Sequence, residues 1–98
     1  MERLFVHGTL MDPYIQEQYL GRRFDFPRLA KLENWVSKFS NNFGLSSRKA
    51  EPLEGCSIYG AVLEVTDEEM KRAETYRQKA YKRVQVTLHD GTKAWIFI

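Results

Sequence analysis

Arg3-Leu4-Phe5-Val6-His7-Gly8-Thr9-Leu10-Met11-Asp12-Pro13 sets the frame for everything after it. Leu4, Phe5 and Val6 are large apolar residues in a row, the composition of a short strand covered on both faces. Asp12 can accept hydrogen bonds from the first amides of a helix, and Pro13 suits the first helical position, where a missing N–H costs nothing. Gly21 follows Leu20 as a stop, so the first helix runs from Pro13 to Leu20. Between strand and helix lies His7-Gly8-Thr9-Leu10. Such a loop is either a plain turn capped by Asp12 or a concave nest of N–H donors for an anion, since glycine lets a ligand approach the main chain.

Outward from this start, residues 24–43 are rich in aromatics and loosely alternating, which predicts one or two strands broken at Ser40-Asn41-Asn42. Residues 44–55 turn polar and predict a surface loop holding at most a short strand. Residues 56–65 are β-branched, aromatic and small, and read as extended. In Val65-Thr66-Asp67-Glu68-Glu69-Met70, Thr66 can cap the Glu69 N–H while Glu69 reaches back to Thr66. Val65 and Met70 then stand where a hydrophobic staple forms, so a second helix runs from residue 67 to about residue 76. Val84, Val86 and Leu88 alternate with polar residues as a half-buried strand does. Asp90-Gly91 predicts a two-residue hairpin turn into a last strand, residues 92–98. That strand places Trp95 and Phe97 on one face and Ala94, Ile96 and Ile98 on the other. The order β, α, several β, α, β-hairpin is an α+β pattern.

Composition narrows the function classes. With 98 residues, 43% hydrophobic and 29% charged, the chain makes one domain with a modest core. A net charge of +2 is too small to argue for a nucleic-acid partner. Basic residues gather at Arg22-Arg23 and along residues 71–83, but Glu68, Glu69 and Glu74 interleave with the second group as on a solvated helix face. No apolar run approaches the roughly 20 residues of a membrane span, and no signal-peptide pattern opens the chain, so no membrane partner is expected. The single Cys56 cannot form an internal disulfide and suits a reducing cytoplasm. His7 and His89 are isolated, so neither a metal site nor another cofactor is expected.

His7-Gly8-Thr9-Leu10-Met11, then Tyr19-Leu20-Gly21-Arg22, the capped second helix and Tyr81-Lys82-Arg83 before the hairpin together resemble the γ-glutamylcyclotransferase-like superfamily. Within it, the chain looks most like the branch named after plant avirulence-induced proteins, whose pattern is Tyr-Gly-Thr-Leu-Met followed by Leu-Leu-Gly-Arg. The resemblance spans nearly the whole chain. It implies a small mixed β-barrel with flanking helices and a cavity floored by the Gly-Thr-Leu loop, where Gly8, Thr9 and Leu10 would bind a substrate carboxylate. Active relatives cyclise a γ-glutamyl group. Its α-amine attacks the γ-carbonyl, releasing 5-oxoproline, after a glutamate on the second helix has taken the amine's proton.

Three departures from that pattern matter. Aligned backwards from Tyr81-Lys82-Arg83, Tyr76 falls on the family's aromatic and Arg77 on its catalytic glutamate. Arginine stays protonated and offers only donors, so it cannot be the base. Glu74 falls on a neighbouring acidic position, three residues from Arg77, where a local ion pair of ~0.3 kcal/mol competes with any role as a substitute base. His7 replaces the family's tyrosine. Its ordinary pKa of about 6.5 suits proton transfer, although it can equally fill a tyrosine-sized slot with one ring nitrogen hydrogen-bonded. Tyr81 and Arg83 are as compatible with packing as with a ligand, and Trp35, Trp95 and Phe97 with a core as with a cavity wall. Finally, many relatives continue beyond the last strand here, and an uncovered apolar terminal strand would invite a cover or a homodimer partner.

Two readings result. In the first, the chain binds a small anionic or γ-glutamyl ligand through Gly8, Thr9, Leu10, Arg77 and Tyr81, with Arg77 adding a planar pair of donors for a second anionic group. In the second, it is a divergent γ-glutamyl(amine) cyclotransferase with Glu74 or His7 as base.

Overall fold

The computed structural model describes residues 1–25, 27–42, 45–77 and 82–98, with side chains except at positions 9, 39–42, 45–49, 76 and 77. In chain order it contains β1 (Glu2–Val6), a 3₁₀ turn (Gly8–Met11), α1 (Pro13–Leu20), β2 (Arg28–Asn42), β3 (Leu45–Val65), α2 (Asp67–Arg77), β4 (Arg83–Thr87) and β5 (Lys93–Phe97). One mixed sheet holds all five strands in the order β2-β3-β1-β5-β4. Every pair is antiparallel except β1 and β5, which run parallel with Leu4 beside Trp95. The apolar run that opens the chain thus becomes a central strand, with Leu4, Phe5 and Val6 all buried.

The sheet curls into a half-barrel. Its two far edges meet through His89, whose N–H donates to the Lys31 carbonyl at 2.9 Å while Nδ1 lies 3.1 Å from the Lys31 N–H nitrogen. Phe5, Leu32, Ile58, Val86, Leu88 and Ile96 pack together on the inner face. On the outer face Leu4, Val6, Leu63, Val65 and Phe97 receive Leu10, Leu20, Met70 and Ala73, the contacts of the 3₁₀ turn and the two helices. Trp95 and Phe97 go to the outer cluster and Ala94, Ile96 and Ile98 to the inner one, the division that strand alternation predicts.

Three expectations are corrected. Residues 44–55 do not form a loop where they are described: β3 runs unbroken from Leu45 to Val65 and pairs with β2 as far as Asn42 opposite Leu45. Ser40-Asn41-Asn42 likewise lies inside β2. Each strand of a long hairpin satisfies the other's backbone groups whatever the side chains, so the polarity of Glu51, Pro52, Glu54 and Gly55 reports their exposure and not a loop. A bulge interrupts the pairing between Glu33 and Trp35, where Asn34 takes φ 65° and its Oδ1 accepts the Gly55 N–H at 3.2 Å. Second, the last turn is longer than two residues. Gly91 N–H donates to the Leu88 carbonyl at 2.9 Å and Leu88 N–H to the Thr92 carbonyl at 2.7 Å, with Gly91 at φ 87° absorbing a bulge. Third, β5 is not uncovered. It lies between β1 and β4, and Lys82 and Ile98 exchange backbone bonds of 2.9 and 2.8 Å just beyond it.

The helix ends follow the sequence closely. Asp12 Oδ1 accepts the Tyr14 N–H at 2.8 Å, and the Gly21 N–H closes α1 on the Glu17 carbonyl at 3.2 Å. The capping box forms in both directions, Thr66 N–H to Glu69 at 2.8 Å and Glu69 N–H to Thr66 Oγ1 at 3.1 Å. Glu69 also takes both arms of Arg22, at 2.6 and 3.2 Å, while Arg22 donates to the Glu64 carbonyl at 3.0 Å and lies 3.9 Å over the Phe24 ring. Gly21-Arg22 therefore ties the end of α1 to the start of α2. Partial burial alone would raise the Glu69 carboxyl, but the hydrogen bonds from Arg22 and Thr66, with the Arg22 charge, outweigh it and hold the group below its ordinary value. A carboxyl depressed on folding stabilises the fold above its unfolded pKa, and that stabilisation is lost as pH falls through the folded value. Arg22 is 45% exposed, which discounts the pair to about 1 kcal/mol. Glu69→Gln should accordingly cost about that much at pH 7 and show a flatter acid limb below about pH 4.5 in thermal unfolding.

Candidate functional site

The end of β1 carries the first of the candidate residues. Val6 is opposite Ala61 on β3, and His7 follows it out of the strand while remaining only 5% exposed. Its ring stacks on Phe5, with centroids 6.4 Å apart and planes 28° from parallel, and its Nδ1 is 3.2 Å from Ser37 Oγ. Ser37 comes from the part of β2 beyond the bulge, where it pairs with Ala50. Ala50 and Trp35 both pack into the inner cluster, so this part of the hairpin presents Ser37 on the inner side.

Gly8 then takes φ 72°, which side chains rarely tolerate, and begins the 3₁₀ turn. In such a turn the later N–H groups are aimed at carbonyls three residues back, while the first ones have no partner within the turn. Gly8 and Thr9 supply those first amides. Leu10 is instead anchored: its side chain is 1% exposed in the outer core, and its carbonyl accepts Gln16 Nε2 at 2.8 Å. Gln16 Oε1 in turn accepts the Phe24 N–H at 3.2 Å, so one fully buried amide holds the turn against the segment after α1.

The second helix returns to this end of the sheet. It starts just after Val65, opposite Glu2, and its Glu74 reaches Arg83, which pairs with Phe97 on β5, while Lys82 pairs with Ile98. Because β5 runs parallel to β1 with Trp95 beside Leu4, Phe97 is level with Val6. The C-terminal end of α2, where Arg77 stands, is thus directed to the His7–Gly8 end. The Arg77 side chain and Tyr81 lie outside the described residues. Glu74 is 46% exposed with Oε1 3.5 Å from Arg83 Nη1, and the Arg83 guanidinium lies 4.5 Å over Trp95, whose Nε1 donates to Glu2 at 2.7 Å. Arg83 of the Tyr-x-Arg pattern therefore joins α2 to the outer face of the sheet. A groove of about 450 Å³ opens at the other end of β1, beside Arg3, Phe24, Arg28 and Glu64, and neither His7 nor Gly8 lines it.

The family profile described as gamma-glutamyl cyclotransferase, AIG2-like, matches residues 4–98. The chain belongs to the AIG2-like gamma-glutamyl cyclotransferase family. The solution structures of two Arabidopsis thaliana proteins share its fold, one with 21% identity and a TM-score of 0.75, the other with 23% and 0.77. A solved structure of a gamma-glutamyl cyclotransferase matches with 10% identity and a TM-score of 0.72. Each match covers 99% of this chain but 61%, 67% and 65%, respectively, of the other protein, so the chain spans roughly two thirds of the lengths it matches. No curated protein matches significantly in sequence. The curled sheet carries the Gly8-Thr9-Leu10 turn where β1 meets α1. Ser37 and Gln16 were not singled out by the sequence reading. The available signals were parity and spacing: Ser37 shares the inward alternation of Trp35, and Gln16 shares a helix face with Leu20 four residues on.

Proposed function

We propose that this AIG2-like protein binds a small γ-glutamyl or similarly anionic molecule at the mouth of the half-barrel, with a carboxylate on the Gly8 and Thr9 amides. The observation that carries this reading is Gly8 at φ 72°, opening a 3₁₀ turn directly after a buried histidine. Convergent backbone donors next to a glycine are a ready site for an anion. Arg77, aligned with the family's catalytic glutamate, makes the ligand's other end the place for a second acidic group and leaves the family's usual base out. Turnover with release of 5-oxoproline is a second reading, favoured by the His7–Ser37 contact. The lone Cys56 fits a cytoplasmic location.

Calorimetric titration with glutamate, 5-oxoproline, γ-glutamyl amides and a phosphorylated metabolite tests the binding reading. Saturable binding of at least one γ-glutamyl or glutamate-like compound is expected, weakened roughly 10-fold or more in Gly8→Val, which forces a β-branched residue onto a backbone at φ 72°. Uniform absence of binding across the panel defeats the proposal.

A further inference from the structure

The geometry points to Ser37 and His7 as a nucleophile and its base, taking the γ-glutamyl group from an amide onto Ser37 Oγ. The inference rests on the reading that γ-glutamyl ligands sit on the Gly8 turn. His7 Nδ1 is 3.2 Å from Ser37 Oγ, the reach that such a pair needs. Both groups are held by regular structure: His7 follows the central strand and stacks on Phe5, and Ser37 is fixed in β2 by its pairing with Ala50. His7 is also the residue immediately before Gly8, so a ligand anchored by its α-carboxylate on that turn would lie beside the pair. The carboxylate alternative is less well placed, because Glu74 is half exposed and faces Arg83.

The chemistry balances without any other reagent. The Ser37 hydroxyl gives its proton to His7 Nδ1 as Oγ bonds to the γ-carbonyl carbon. The carbon–nitrogen bond to the leaving amine then breaks, and the amine departs with the proton from His7. The resulting ester is resolved by the ligand's own α-amine, which closes the five-membered ring and releases 5-oxoproline while its proton passes through His7 back to the Ser37 oxygen. Water attacking instead releases glutamate. In this scheme the proton acceptor comes from β1, so Arg77 on α2 does not abolish acyl transfer.

The test uses γ-glutamyl-p-nitroanilide with the full chain, acid quenching and mass spectrometry of the Ser37 peptide, alongside calorimetry of wild type with glutamate. A glutamyl ester on Ser37 is expected, absent from Ser37→Ala, with p-nitroaniline release falling roughly 100-fold in that variant and in His7→Gln. Ser37→Ala changes one partly exposed oxygen, so it keeps the test decisive if His7→Gln fails to fold. Glutamate binding by wild type without an adduct, or release unchanged in Ser37→Ala, overturns the nucleophile and leaves the binding reading standing. Acetylation of Ser37 by p-nitrophenyl acetate in a protein that does not bind glutamate upholds the nucleophile and overturns the γ-glutamyl ligand. Neither adduct nor binding overturns both.

Discussion

Gly60→Ala should lower the thermal unfolding midpoint by roughly 12–24 °C, corresponding to a loss of about 3 kcal/mol. Gly60 sits in β3 opposite Ala30, one residue before the pair Val6–Ala61. A Cβ built there falls 2.2 Å from the Val6 carbonyl oxygen and 2.9 Å from Phe5 Cζ. The first clash is with backbone, so no rotamer change relieves it, and β1 and β3 have to separate where the sheet is most buried. Gly60 has no positive φ, so its requirement is space and not backbone freedom. Functionally, the displaced carbonyl belongs to the residue just before His7. Gly60→Ala should therefore also weaken ligand binding at temperatures where the variant is still folded, a double effect that calorimetry and circular dichroism separate. An unchanged midpoint would contradict the close approach of Gly60 to the Val6 carbonyl.

The second large effect is expected at Gln16. Gln16→Leu keeps the volume but leaves the Leu10 carbonyl and the Phe24 N–H without their partners, and each buried orphan costs about 1–3 kcal/mol. A total near 3 kcal/mol is expected from denaturant unfolding, a large share of the ~5–15 kcal/mol that holds such a domain together. Gln16→Glu provides a sharper check. Its carboxylate would still accept from Phe24 but would oppose the Leu10 carbonyl, and burial raises the carboxyl pKa above its unfolded value near 4.3. A raised folded pKa gives stability that is present below the unfolded pKa and is lost as pH rises through the folded one. The variant should thus recover toward wild type on acidification, opposite in sign to the Glu69 effect.

These two residues show what was and was not legible in the sequence. Local signals were read directly: Asp12, Pro13 and Gly21 bound α1, and the Thr66–Glu69 box starts α2, because caps depend on neighbours within a turn. Alternation in residues 93–97 divided the two cores for the same reason. The long β2–β3 hairpin was missed because its stability comes from pairing partners and not from side-chain hydrophobicity, and polar residues in 44–55 resemble a loop until those partners are known. The Gly8 turn was open to two readings from its residues, a plain turn or an anion nest, and the family resemblance favoured the nest. Its support by Gln16, its space from Gly60 and its contact with Ser37 join residues brought together only by the fold, and no local pattern announces them. The Gly-Arg motif is a middle case: recognised as a family feature, it acquires a physical reason once Arg22 is seen gripping Glu69.

The amides that open the 3₁₀ turn are where the ligand would be felt first. Backbone amide NMR of the isotopically labelled protein, titrated with a γ-glutamyl amide, reads them individually. Saturable shifts centred on Gly8 and Thr9, reaching His7 and Ser37 and disappearing in Gly8→Val, are the predicted result. Shifts confined to the groove beside Arg3 and Arg28, with the Gly8 and Thr9 amides unmoved at saturation, would contradict it.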